Sequence, residues 1–297
     1  MPRNLLIAAA LVTFVAPSAH AEPIILCGWD TVFVVDVSTT NTETKPIWTW
    51  KAKQCEQLLE AMRGTFATTD DCKPVDGGSR FLISSSSGGC AVVVRPSGKA
   101  IWYAQVPNAH SLELLPRDRI VVASSVHDKG NRLVLFDLAH NSQPIWDTPL
   151  VSAHGVVWDE GRQLLWALGL KDLQSYELRD WDGDKPSLAI KGSYPLPDGD
   201  GHDLQPVPGS NDLVVTTGPR VYFFDRDKHE FRLHPDLGDR ANVKSVNVHP
   251  VSGQTAFVQA TESWWSDTLG LLSPAGMVQL PGERLYKARW LVQGGAR

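Results

Sequence analysis

Long apolar runs are absent after the first fifteen residues, so no later segment of this chain reaches the ~20 apolar residues that a membrane-spanning helix needs. Basic charge is also scarce. The chain carries 28 Lys and Arg against 33 Asp and Glu, a net charge of −5, which argues against non-specific binding to nucleic acid or anionic lipid. Any anionic ligand must therefore meet a local positive patch. Cysteine is sparse too: four residues, Cys27, Cys55, Cys72 and Cys90, with no CxxC or Cys/His spacing that would hold structural zinc. They admit three disulfide pairings; a Cys55–Cys72 bridge and free buried thiols both stay open. Several signatures of chemistry are missing as well. There is no GxSxG elbow, no phosphate-cradling loop, no HExxH and no EF-hand run. The Asp/Gly-rich stretches 180–187 and 197–203 do not match a twelve-residue calcium loop and read as turns.

What is present is repetition. AHSLELLPRDRIVVASS, AHGVVWDEGRQLLWALG, GHDLQPVPGSNDLVVTTG and VKSVNVHPVSGQTAFVQA each give a polar anchor, a short strand, a turn and a second strand. Their anchors are His110, His154, His202 and Lys244, and Lys287 opens a fifth copy in YKARWLV. A weaker copy, DDCKPVDGGSRFLISSS, is anchored at Asp71 or Lys73. The repeat length, about 40 to 45 residues, is that of a four-stranded propeller blade, which cannot bury both faces without neighbours. A second echo supports the count: Pro46-Ile47-Trp48, Ala100-Ile101-Trp102 and Pro144-Ile145-Trp146 each precede an anchor by a similar interval. The N-terminal segment offers three strands, at 24–27, 32–37 and 47–50, and YKARWLV offers one. The chain is thus predicted to be all-β, a six-bladed β-propeller closed by N-terminal strands plus the C-terminal strand, which removes open sheet edges.

Residues 1–21 read as a signal peptide, with Arg3, an apolar stretch and Ala19-His20-Ala21 at the cut, leaving the propeller over 22–297. That predicts a periplasmic or secreted, monomeric protein. Residues 55–64 carry apolar positions at helical spacing and end at Gly64, predicting a short helix on the rim.

Anchors at the start of innermost strands converge on one channel mouth. His110, His154 and His202 together make two alternatives: a catalytic site with a divalent metal (Mn, Zn or Ca), or direct anion binding with Lys244 and Lys287. A purely structural role for these residues is the third. Asp71, Lys73, His127 and Arg220 are candidate ligand contacts from the same face, and Trp264 and Trp265 are placed to stack on a sugar ring. His140, His229, His234 and His249 read as solvated or packing residues, and Trp48, Trp102, Trp146, Trp158 and Trp166 as core.

The segments CGWDTVFVVD, KPIWTWKA, AHSLELLP, AHGVVWDE, GHDLQPVP, NVKSVNVHP and YKARW resemble an uncharacterised family of secreted bacterial six-bladed β-propellers, a resemblance that implies the fold and no activity. In logic rather than sequence, the three histidines are similar to the metal-holding histidines of oligogalacturonate lyases, and AHSLELLP to the His before an LP-containing strand in arylsulfotransferase-type propellers. These parallels imply an enzyme acting on an anionic, uronic-acid-type carbohydrate by β-elimination, with the imidazoles polarising the carboxylate and a Lys or His removing the proton. The alternative is a non-catalytic module for an acidic ligand or partner protein.

Overall fold

Period-two alternation decides where strands form and how deep they lie. In Lys99–Gln105, Ala100, Trp102 and Ala104 face inward while Lys99, Ile101 and Gln105 face solvent, as befits an outermost strand. Arg119–Ser124 is buried on both faces, because a neighbouring blade covers each side of an inner strand.

The structure, a computed structural model, describes residues 23–37 and 45–292. The expected signal peptide lies outside the described residues. Six four-stranded antiparallel sheets follow one another around a ring. With strands lettered A to D from the channel outward, blade 1 is Thr69–Val75, Arg80–Ser85, Gly89–Val94 and Lys99–Gln105. Blade 2 is Ala109–Leu115, Arg119–Ser124, Arg132–Asp137 and Pro144–Pro149. Blade 3 runs Gly155–Asp159, Leu164–Leu168, Asp172–Arg179 and Ser187–Pro195. Blade 4 comprises Gly201–Pro206, Asp212–Thr217, Val221–Asp225 and Glu230–Leu233, and blade 5 Val243–Val248, Thr255–Gln259, Thr268–Leu272 and Gly276–Gln279. Blade 6 joins both ends of the chain, with Lys287–Trp290 as strand A pairing with Pro23–Gly28, then Thr31–Asp36 and Trp48–Trp50. The six-bladed, two-ended closure read from the repeats is the observed architecture.

A separate apolar cluster fills each of the six seams between blades. Between blades 1 and 2, fully buried Trp102 meets Phe136 edge-on at 5.4 Å, and truncating such a residue costs about 3–5 kcal/mol. The seam between blades 6 and 1 contains the segment expected to decorate the rim. Only Glu60–Arg63 is α-helical, flanked by tight turns at Ala52–Gln54 and Gly64–Phe66. Cys55, Leu58, Met62 and Phe66 turn inward and pack against Phe81 and Ala91. Gly64 keeps a right-handed conformation, φ −75°, so it passes the chain into another turn instead of ending in a left-handed cap.

All four cysteines are buried and free. The Cys55–Cys72 bridge does not form: Cys55 Sγ lies 3.7 Å from the Gly98 carbonyl, while the Cys72 thiol neighbours Cys27 and is pushed up by burial. Among the described residues, no helix is long and apolar enough to cross a membrane.

Candidate functional site at the channel mouth

Strand A of each blade enters the channel from one face, and its first turn of backbone is irregular. In blades 1, 2, 4 and 5 the A–B ladder skips a residue: Thr69 and Asp71, Ala109 and Ser111, Gly201 and Asp203, Val243 and Ser245 are paired, and the residue between them is not. The skipped residues are Asp70, His110, His202 and Lys244. Such a bulge breaks the alternation of side chains, so two successive residues serve the channel. The matching positions in blades 3 and 6 are His154 and Tyr286, whose N–H groups donate to Leu168 and Cys27 carbonyls at 2.9 and 2.8 Å. Six residues therefore ring the mouth: Asp70, His110, His154, His202, Lys244 and Tyr286.

The three imidazoles meet. Ring centroids are 4.2 Å apart for His110 and His154, and 5.2 Å for His154 and His202. His154 Nδ1 lies 2.8 Å from the Ser152 carbonyl and His110 Nδ1 lies 3.1 Å from that of Asn108, so each Nδ1 donates; in neutral His154 this leaves a lone pair on Nε2, while His110 Nε2 faces Asp70. Burial holds His154 well below its ordinary 6.5, with His110 and His202 adding to the shift, so the imidazole is neutral at pH 7. His202 is also pushed down by burial, and its Nε2 sits 3.0 Å from Lys244 Nζ and 3.5 Å from Asp200. Burial lowers Lys244 as well. Asp70, 3.5 Å from His110 Nε2, is pushed up by burial against the pull of His110.

One residue deeper, a balanced ion cluster plugs the channel. Asp71 and Asp203 face Lys287 and Arg289, the last two supplied by the C-terminal strand. Arg289 reaches Asp203 at 2.6 Å and Asp71 at 3.0 Å. Lys287 Nζ is 3.2 Å from Asp203 and 3.9 Å from Asp71, yet these approaches miss hydrogen-bond geometry and the fully buried amine has no hydrogen-bond partner. Arg289 and then Lys287 hold the Asp71 and Asp203 carboxyls below the usual range, although burial alone would raise them. His202 Nδ1 is a second buried polar atom with no partner among the described residues.

A family model for a family of unknown function, DUF6528, matches residues 29–296. The chain belongs to that family. No curated protein matches it. Among solved structures, the WD40 β-propeller domain of Doa1 is similar with a TM-score of 0.55 at 12% identity, over 80% of this chain and 71% of that one. At that identity the likeness speaks for the propeller fold alone.

The mouth brings His110, His154, His202 and Lys244 together, as the repeats predict. Two anchors are out of register. The true equivalents in blades 6 and 1 are Tyr286 and Asp70, while Lys287 and Asp71 belong to the plug and Lys73 lies further down strand A. There it bonds Glu113 at 3.2 Å and the Val156 carbonyl. Among the described residues, no group of three or more His, Cys, Asp or Glu is arranged to hold a metal. Of the expected three-imidazole set, His202 has its Nε2 against the Lys244 amine rather than directed at a shared centre. Trp264 extends the mouth: it packs edge-on against Tyr286 at 5.7 Å, and Tyr286 in turn lies 6.4 Å from His110. Both Trp264 and Trp265 are half-buried rather than exposed, and Trp265 with Trp29 sandwiches the Arg284 guanidinium at 5.0 and 4.3 Å. His127 and Arg220 are exposed on loops between strands B and C; His127 Nδ1 accepts from the Lys129 N–H at 3.0 Å, and Arg220 associates with Tyr222 and Asp198. Neither contacts the imidazoles. Tyr286 and Asp200 were missed by pattern reading, although a 42-residue step from Lys244 lands on Tyr286.

Proposed function

We propose that the channel mouth captures the carboxylate of a small acidic ligand, of which a uronic-acid-type saccharide is the class that best suits its surroundings. One observation carries this reading: His202 Nδ1 is a buried donor without a hydrogen-bond partner beside a neutral imidazole, and one residue deeper Lys287 Nζ is ion-paired with Asp203 and Asp71 but makes no hydrogen bond. A buried unsatisfied donor costs about 1–3 kcal/mol, and an anionic oxygen at His202 Nδ1 offsets that cost. Lys287 contributes to the lowering of both His154 and His202, so positive potential extends into the mouth. The Lys244 and Lys287 amines oppose a divalent cation at the same place, which favours the anion over the metal. Tyr286 and Trp264 supply faces on which a pyranose can pack. A lyase reading has one specific support, the free lone pair on His154 Nε2, a neutral base at the mouth. The leader-like residues 1–21 support an exported protein.

Isothermal calorimetry with galacturonate, and with glucose as the uncharged control, tests the proposal. Galacturonate binds and glucose does not, and His202→Ala loses about 10–100-fold in affinity, the worth of a charge-assisted hydrogen bond. Equal heats for the two sugars overturn it. Incubation with an oligogalacturonide then separates the readings: an unsaturated product that disappears in His154→Ala marks a lyase, and binding without product marks a binding module.

A further inference from the structure

The other end of the channel holds a cavity of about 590 Å³ to which all six blades contribute. It lies below the ion plug, among the far ends of the A strands and the turns that follow them. Leu114, Val157, Trp158, Val248, Pro250 and Trp290 give it mostly apolar walls, which the charged Asp76, Asp159, Glu160 and Arg226 interrupt. Its floor is polar, formed by side chains two residues beyond the plug positions in each strand, including Lys73, Glu113, Gln205, Asn247 and Arg289.

Nearly all of that floor is satisfied internally. Lys73 and Glu113 pair with each other, Arg289 serves both plug carboxylates, and Asn247 Oδ1 accepts from the Trp290 N–H at 2.7 Å. Gln205 is the exception. It is 6% exposed, lines the cavity, and its Nε2 has no hydrogen-bond partner among the described residues. A buried amide donor without an acceptor, on a side chain that lines the chamber, is satisfied by an acceptor that a ligand brings. The volume falls within the 300–1,000 Å³ range common to small-molecule sites, and apolar walls with one placed polar group are their usual composition.

We propose that this cavity is a second ligand site, separate from the mouth, that takes a small aromatic or apolar molecule bearing a neutral carbonyl acceptor for Gln205 Nε2. The indoles of Trp158 and Trp290 flank the ring of such a molecule, while the carbonyl oxygen accepts from Gln205. A charged carboxylate is the poorer fit, since Glu113 shares the floor and the Lys73 and Arg289 cations are already engaged. The plug isolates the two ends, so this ligand does not compete with one held at the imidazoles.

The test uses acetophenone and benzamide as probes and toluene as the analogue lacking the acceptor, with affinity read from tryptophan fluorescence and from ligand-observed NMR. The carbonyl probes bind about tenfold more tightly than toluene, the discrimination expected of one buried hydrogen bond. In Gln205→Leu that preference vanishes while toluene binding persists. Gln205→Met serves where the leucine variant fails to fold. His202→Ala, which removes a donor from the mouth, leaves carbonyl binding unchanged. Absence of binding by every probe, or an unaltered carbonyl preference in both Gln205 variants, overturns the proposal.

Discussion

The mouth and the far end of the channel are built from the same six strands and present opposite chemistry. At the mouth, His110, His154 and His202 crowd against one another beside Lys244, and nearly every group titrates. At the far end, indoles, prolines and largely ion-paired charged residues such as Lys73, Glu113, Asp159 and Arg226 surround about 590 Å³ of space beside one unpartnered amide. The difference comes from a single backbone irregularity. Bulges at Asp70, His110, His202 and Lys244 direct two successive side chains into the channel at one end, whereas regular alternation further along sends every second residue outward into the blade seams. Polar density is therefore doubled at one end and diluted at the other. Asp71, Asp203, Lys287 and Arg289 form the wall between them.

Breaking that wall is expected to have the largest effect. Arg289→Ala leaves Asp203 with Lys287 alone and Asp71 with only the longer contacts to Lys287 and Lys73, and destabilises the fold by about 3–5 kcal/mol, read as a shift of the urea midpoint. It also removes a tie from the C-terminal strand to blades 1 and 4, so both ends of the channel suffer together.

Next, His202→Ala separates the two ends, weakening galacturonate by about 1.5–3 kcal/mol with no change in carbonyl-probe affinity. Trp264→Ala sharpens the contrast more gently: loss of one stacking face lowers sugar affinity by about 0.5–1.5 kcal/mol, measured by the same calorimetry.

Acid acts on the mouth through its buried imidazoles. His154 and His202 are held below 6.5 by burial, so below that pH the unfolded chain binds protons that the folded one refuses. Stability is full above about pH 6.5 and falls as pH drops through and below it. Asp70 and Glu283, raised by burial, act in the opposite sense, against three lowered imidazoles, His154, His202 and His234. Thermal melts between pH 7.5 and 5 are expected to show a falling Tm, with a shallower slope in His154→Gln. The smallest effect belongs to Arg220→Ala and His127→Ala, whose exposed side chains touch neither end; both ligand affinities and stability stay within about 0.5 kcal/mol of the parent.

The blade count was legible because blade length and strand alternation are local properties, repeated often enough to be seen without coordinates. The closing blade was legible for a related reason: three unanchored strands at one end and one orphan strand at the other leave no other economical pairing. Register at the mouth was only partly legible. Lys287 looks equivalent to His110 because both open an alternating stretch, yet Lys287 occupies the ladder position of Ser111, and Tyr286, whose N–H bonds to Cys27, takes the ring position.

The amino-acid order by itself determined the ring of six blades, the union of chain ends in one of them, and the convergence of three histidines on one mouth. Tertiary structure alone decided the pairing of Asp71 and Asp203 with Lys287 and Arg289, the protonation of His154 and His202, and the chamber beneath Gln205. The physical reason is distance along the chain: Asp71 and Arg289 are 218 residues apart in sequence and 3.0 Å apart in space. Burial, which sets both the shifts and the orphaned donors, exists only once all six seams have closed.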